Sequence, residues 1–144
     1  MAACYHPDAT FRDPVFELRG ADIGRMWTML CSRATDLRVE YANIEAPDVA
    51  PSANAAASNP PDASAACDWQ AWYTFTATGR PVHNVVHAAF RLRDGLIVDH
   101  VDTFDFWRWS RQALGPAGLL LGWSPLLRAK VRKQAAESLA RFKG

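Results

Sequence analysis

Cysteine is scarce: Cys4, Cys31 and Cys67 are the three in 144 residues, odd in number, widely spaced and without a CxxC pair. Such a set builds no disulfide framework and does not read as a zinc site, so a reducing compartment is expected. Long apolar runs are lacking too. The longest, ALGPAGLLLGW at 113–123, is short and broken by Gly and Pro, too little to span a bilayer. No basic segment followed by an apolar run opens the chain, so no signal peptide is expected and the cytoplasm is the default location. A glycine-rich phosphate loop and a nucleotide fingerprint are both missing, and the serines and cysteines have no base at a recognisable spacing. No cofactor is expected.

Acidic residues are nearly absent from the last quarter. Residues 108–144 hold 8 basic and 1 acidic side chain, whereas residues 1–107 hold 8 basic and 14 acidic, which the net charge of +1 conceals. The basic end reads as a solvated helix that complements its own acidic body or a partner subunit. No nucleic acid partner is expected, and an anionic membrane surface is the lesser alternative.

What is present suffices for one domain with its own core, 49% hydrophobic and 22% charged, with six Trp. Residues 9–17 alternate as a short strand, or two strands broken at Pro14. Residues 20–34 read as a helix capped by Asp22, its apolar face formed by Ile23, Met26, Trp27, Leu30 and Cys31. Strand periodicity covers 37–46, with Leu37, Val39 and Tyr41 on one side. The stretch 47–66 is nearly all Ala, Pro, Ser, Asp and Asn. It cannot bury enough apolar area to offset its ordering entropy, which predicts a mobile loop.

Three strands follow, at 68–79, 80–95 and 96–109, with Asp94-Gly95 as a hairpin turn between the last two. Side chains two apart share a face. One face therefore carries Trp69, Tyr73 and Phe75, then Asn84, Ala88 and Phe90, then His100, Asp102 and Phe104. His83 and His87 point the other way, which separates them from His100, and no metal site is expected. A short helix over 110–122 and a final helix over 125–142, opening at Ser124-Pro125, complete an α+β domain.

The stretch TFRDPVFELRG at 10–20 poses the functional question. Asp13 stands before a proline between Phe11 and Phe16. It is either a turn residue bonding the backbone or a carboxylate aimed into apolar space, where desolvation would raise its pKa toward working pH.

The segment YHPDATFRDPVFELRGADIGRMW, with the later hairpin and strand DGLIVDHVDTFDFW, resembles the nuclear transport factor 2-like superfamily. Its branches include SnoaL-like polyketide cyclases, limonene epoxide hydrolase and ketosteroid isomerase. The resemblance spans roughly residues 5–109 and implies a curved antiparallel sheet forming a cone, a cystatin-like α+β roll with helices on its concave face. That gives a cone domain over 1–109 and a basic helical extension over 110–144. In ketosteroid isomerases the aspartate of the matching DP step works as general base, which places that role on Asp13. In SnoaL-like cyclases and epoxide hydrolases the last strand supplies an acid/base aspartate, which places it on Asp102. The isomerases' oxyanion donors have no counterparts: Ala88 stands where their second acid would be, and the helix that carries their Tyr has no match. Steroid isomerisation is therefore not expected. The resemblance also implies about twenty further residues ahead of the first strand, so either Met1 is internal to a longer natural chain, the reading slightly favoured, or the final helix over 125–142 takes over the covering role.

The resulting expectation is cofactor-free acid/base chemistry of isomerase, cyclase or epoxide-hydrolase type on a small apolar carbonyl or epoxide compound. Asp13 and Asp102 would be the acid/base pair, with His100 as orienter or relay. Phe11, Trp27, Trp69, Phe75, Phe90 and Phe104 would wall the pocket beside Ala88, with Tyr73 and Asn84 to orient a ligand. The alternatives are a module that binds an apolar ligand without turnover, a role in which His100 and Asp102 are only a satisfied polar pair, and an interaction protein acting through its basic, Trp-flanked tail. The outer sheet face, bearing an exposed Trp72, is the expected homodimer interface.

Overall fold

A computed structural model describes residues 2–46 and 63–142. A single 3₁₀ turn, Ala2–Cys4, leads into β1 (Tyr5–Arg12), β2 (Glu17–Arg19) and helix α1 (Ala21–Arg33). Strands β3 (Arg38–Glu45), β4 (Ala63–Phe75), β5 (Arg80–Arg93) and β6 (Leu96–Thr103) follow, then helices α2 (Phe106–Leu114), α3 (Pro116–Leu121) and α4 (Pro125–Arg141). The strands form one curved sheet in the order β2-β1-β6-β5-β4-β3. It is antiparallel except at one junction, where β1 runs parallel to β6 with Phe11 beside His100 and Arg12 beside Val101. Among the described residues no helix is long and apolar enough to cross a membrane.

The inner face of the sheet is the one covered by helices. Ile23, Met26 and Met29 of α1 pack on Ala9, Phe11 and Phe16, and Leu139 of α4 closes the same cluster. Phe106, Trp109 and Ala113 of α2 pack on Val82, with Tyr73, Phe75 and Phe104 around them. Val15 touches both clusters.

Three sequence expectations need correction at α1. Asp22 is not the cap: the helix begins after Gly20, and Asp22 lies in the first turn, paired with Arg25 at 2.9 Å. Gly20 has φ 54°, and a Cβ there would lie 2.8 Å from the Pro7 carbonyl oxygen, so the turn into the helix requires glycine. The buried stripe is Ile23, Met26 and Met29, which leaves Leu30 and Cys31 exposed. Trp27 faces the sheet as expected, packed against Phe11, and Met29 takes the buried place expected of Leu30.

The loop boundary shifts as well. Residues 63–66 belong to β4, where Ala65 pairs with Phe90 and Ala66 with Ala89. Residues 47–62 of the expected loop lie outside the described residues. Strand β6 stops at Thr103, because the Asp105 carboxylate accepts the Arg108 amide at 2.9 Å and caps α2 there. The final helix opens as the sequence implied, with the Ser124 hydroxyl accepting the Leu126 amide and Pro125 in the first turn. Asp94 and Gly95, at φ 52° and 77°, make the expected tight turn.

Candidate functional site

Period-two alternation places Phe90 of β5 and His100 of β6 opposite each other, and Ala88 opposite Asp102, on the inner face. His100 and Asp102 are both buried, 4% exposed each. Their side chains meet directly, Nε2 of His100 lying 2.8 Å from Oδ1 of Asp102. A buried carboxylate needs partners of this kind, since an unpaired charge there would cost several kcal/mol, roughly.

The other imidazole nitrogen, Nδ1, lies 2.7 Å from the Tyr5 hydroxyl, and the Trp27 indole N–H donates to that same oxygen at 3.1 Å. Tyr5 thus bridges the Trp27 indole and His100 Nδ1, and His100 bridges Tyr5 and Asp102. A continuous hydrogen-bond chain runs Trp27, Tyr5, His100, Asp102. Burial, reinforced by the negative Asp102 and opposed by the Trp27 bond, pushes the Tyr5 phenol up to about 12, so it stays protonated as a donor.

Aromatic rings enclose the imidazole. Phe90 lies 4.4 Å away, Phe11 stands edge-on at 4.9 Å, and Tyr5 and Trp27 stack at 6.0 and 6.3 Å. Trp69 extends this wall through Trp27, centroid to centroid 6.5 Å.

Asp13 follows β1 one step past the Arg12–Val101 partnership, and it is half-buried. Its Oδ1 accepts the Val15 amide at 2.6 Å and the Phe16 amide at 2.5 Å, forming the turn around Pro14. Burial nevertheless outweighs those two bonds. It lifts the Asp13 carboxyl to about 6, with the Asp102 charge adding to the rise and Arg132 opposing it. The two readings of TFRDPVF are therefore compatible: Asp13 builds a turn with one oxygen and remains a desolvated acid. Tyr73, raised chiefly by burial and further by the Asp13 charge, receives the Trp109 indole N–H at 2.9 Å.

The expected site residues thus divide. Phe11, Trp27, Trp69, Ala88 and Phe90 gather around His100 and Asp102, while Tyr73, Phe75 and Phe104 belong to the cluster under α2, with Phe75 edge-on to Trp109. Asn84 lies across from Ala71 on the inner face. Asp13 reaches Asp102 through its field rather than a hydrogen bond. Tyr5 was not among the expected residues. Extending the alternation Asp13, Phe11, Ala9 backward points to it, but Pro7 and a shift in register between Tyr5 and Thr10 interrupt that count.

On the outer face His83 bonds Gln70 at 2.7 Å and His87 bonds Asp68 at 2.8 Å, far from His100 by strand parity. Trp72 is not bare there. His83 stacks on it at 4.6 Å and the Arg38 guanidinium covers it at 4.5 Å. A groove of about 550 Å³ on this side, lined by Gln70, Val85, His87 and Thr103 among others, does not include His100 or Asp102. Burial and the nearby acids push the Cys67 thiol up, away from its reactive thiolate form.

A model of the SnoaL-like domain matches residues 1–100. The chain belongs to the SnoaL-like family. Solved structures similar to this SnoaL-like chain include a Catenulispora acidiphila protein of ketosteroid isomerase-like fold in complex with trimethylamine. It is 13% identical with TM-score 0.60, covering 86% of this chain and 84% of that one. AclR of Streptomyces galilaeus, a proposed hydroxylase, is 21% identical with TM-score 0.54 over 78% and 79%. IdmH of Streptomyces antibioticus, a proposed polyketide cyclase, is 18% identical with TM-score 0.53 over 76% and 81%. At these identities the likeness is one of fold. No curated protein matches the sequence.

Proposed function

We propose that this SnoaL-like protein is a cofactor-free acid/base enzyme of isomerase, cyclase or epoxide-hydrolase type, acting on a small apolar carbonyl or epoxide compound. The observation that supports it is a half-buried Asp13 carboxyl lifted to about 6 beside a buried, hydrogen-bonded His100–Asp102 pair. An acid with a pKa near working pH can both take and return a proton. Asp13 Oδ1 is committed to the Val15 and Phe16 amides, so Oδ2 is the oxygen that meets a ligand. On a carbonyl substrate, a C–H next to the carbonyl gives its proton to Oδ2, and the electron pair moves to the carbonyl oxygen. The His100–Asp102 pair holds the charge of the second carboxylate in place, and Oδ2 returns the proton to the ligand to complete the step. The apolar rings around His100 fit a ligand of the same character.

The test is a turnover screen of ketones and epoxides with the native chain, Asp13→Asn and Asp102→Asn. Loss of turnover in either variant, with ligand affinity kept, is the expected result. A second reading has its own support: His100, Asp102 and Tyr5 satisfy one another fully, as a structural pair in a binding module would. Binding by all three proteins with turnover by none would establish that reading instead. The outer sheet face, with its Arg38–Trp72–His83 stack, is the proposed homodimer surface, and the cytoplasm the proposed location. Sedimentation of a Trp72→Glu variant as a monomer, against a dimeric parent, is the expected outcome.

A further inference from the structure

Helix α3 is built inside out. Its buried residue is Gly118, whose missing side chain lets the helix sit directly on α2: a Cβ there would collide with the Ser110 backbone. The Ser110 hydroxyl, wholly buried, bonds the carbonyls of Trp107 and Gly118 and fixes the two helices together. Gly122 follows the same rule, packing against Ser110 and the Trp107 ring. With glycines turned in, the leucines are turned out. Leu119, Leu120 and Leu121 are 52, 68 and 52% exposed, and Trp123 and Leu126 are 73 and 82% exposed. An ordinary surface helix buries leucine and exposes small or polar residues, so this knob displays what a fold normally hides.

Cations surround it. Arg111 lies over the Trp107 ring at 4.4 Å, and the Trp107 indole N–H bonds the Leu119 carbonyl, which sets that guanidinium beside the leucines. Arg128, two residues past Leu126 in the first turn of α4, lies over Phe106 at 5.0 Å. The sole acid of residues 108–144, Glu137, is engaged by Arg141 on the far part of α4.

We propose that this Leu/Trp knob and its arginine collar dock the protein on an anionic lipid surface. Two features favour lipid over a second copy of the chain. A twofold contact of the knob with itself would bring arginines against arginines. A protruding run of consecutive leucines also needs no complementary pocket in a bilayer, whose interface accepts Trp and Leu in any arrangement and attracts Arg when the headgroups are anionic. The knob enters the headgroup and acyl boundary without crossing it.

The experiment is flotation of the full-length chain with vesicles of phosphatidylcholine alone or with about 30% phosphatidylserine. Removing α4 would be uninformative, because Leu139 belongs to the core, so point changes at exposed residues are used. Binding at least about tenfold stronger to the anionic vesicles, weakened by salt, is expected. The pair Leu120→Ser with Leu126→Ser should lower it at least about tenfold, and Arg111→Gln with Arg128→Gln should remove the preference for phosphatidylserine. Circular dichroism of each variant should match the parent. No binding to anionic vesicles, or binding indifferent to both pairs, overturns the proposal. So does a dimer that dissociates when Leu120 and Leu126 are changed, which would make the knob a contact between copies.

Discussion

Replacing Asp13 by Asn isolates the charge from the turn it builds. The amide Oδ1 can still accept from the Val15 and Phe16 N–H groups that now bond the carboxylate at 2.6 and 2.5 Å, and only the titration disappears. The folded carboxyl holds its proton up to about 6, against 3.8 in an unperturbed side chain. Between those values the native state binds more protons than the unfolded state, so stability falls as pH rises through the window and the loss is complete above it. At 1.36 kcal/mol per unit the shift corresponds to about 3 kcal/mol, and partial exposure of Asp13 reduces that to roughly 2 kcal/mol. The variant should gain about this much over the parent between about pH 4 and about pH 8, or roughly 4–8 °C in Tm. Urea denaturation of both proteins across that range gives the difference curve directly. Any fixed cost of placing an amide nitrogen where Oδ2 stood shifts the curve without changing its slope. A flat difference would refute a desolvated Asp13, and with it the acid/base role.

Tyr5→Phe removes the shared partner of His100 Nδ1 and Trp27 Nε1, and should lower stability by about 1–3 kcal/mol in urea denaturation, the cost of unsatisfied buried groups. A loss below about 0.5 kcal/mol would mean the hydrogen-bond chain is not continuous. Gly20→Ala forces a Cβ against the Pro7 carbonyl at φ 54°, for a cost of roughly 1–3 kcal/mol read as a lowered Tm. Ser124→Ala deletes the α4 cap and should cost about 0.5–2 kcal/mol. Because Leu139 ties α4 to the core, that loss should appear in global unfolding rather than as fraying.

The sheet was legible because its signals are local. Alternation in β4, β5 and β6 assigned Trp69, Ala88, Phe90, His100 and Asp102 to one face without error, and Asp94-Gly95 marked the hairpin. Tyr5 escaped because the irregular register of β1 breaks the very count that would have reached it, and because its value lies in a contact 95 residues away. The split between the aromatic cluster around His100 and the cluster under α2 is equally non-local. Phe75 and Phe104 share the strand face of the site, yet α2 claims them, and nothing in an alternating pattern says where a helix will land. The exposure of Leu119 to Leu121 was hidden for a different reason. A run of leucines is read as core, and only the close approach of Gly118 to Ser110 reverses it.

Asp13, His100 and Asp102 differ in what holds them, and that difference underlies the roles proposed for them. His100 and Asp102 are sealed and hydrogen-bonded to each other and to Tyr5, so their burial is compensated. Asp13 is not compensated in this way: two amides serve one oxygen, and the remaining desolvation is what raises its pKa. A turn at this place needs only an acceptor, which Asn supplies without the titration penalty. An acid that destabilises the fold at neutral pH, in a position an amide could fill, is the feature on which the proposed proton exchange rests. In the proposed reaction the sealed pair serves Asp13 by fixing a negative charge nearby, which strengthens its hold on a proton taken from a ligand.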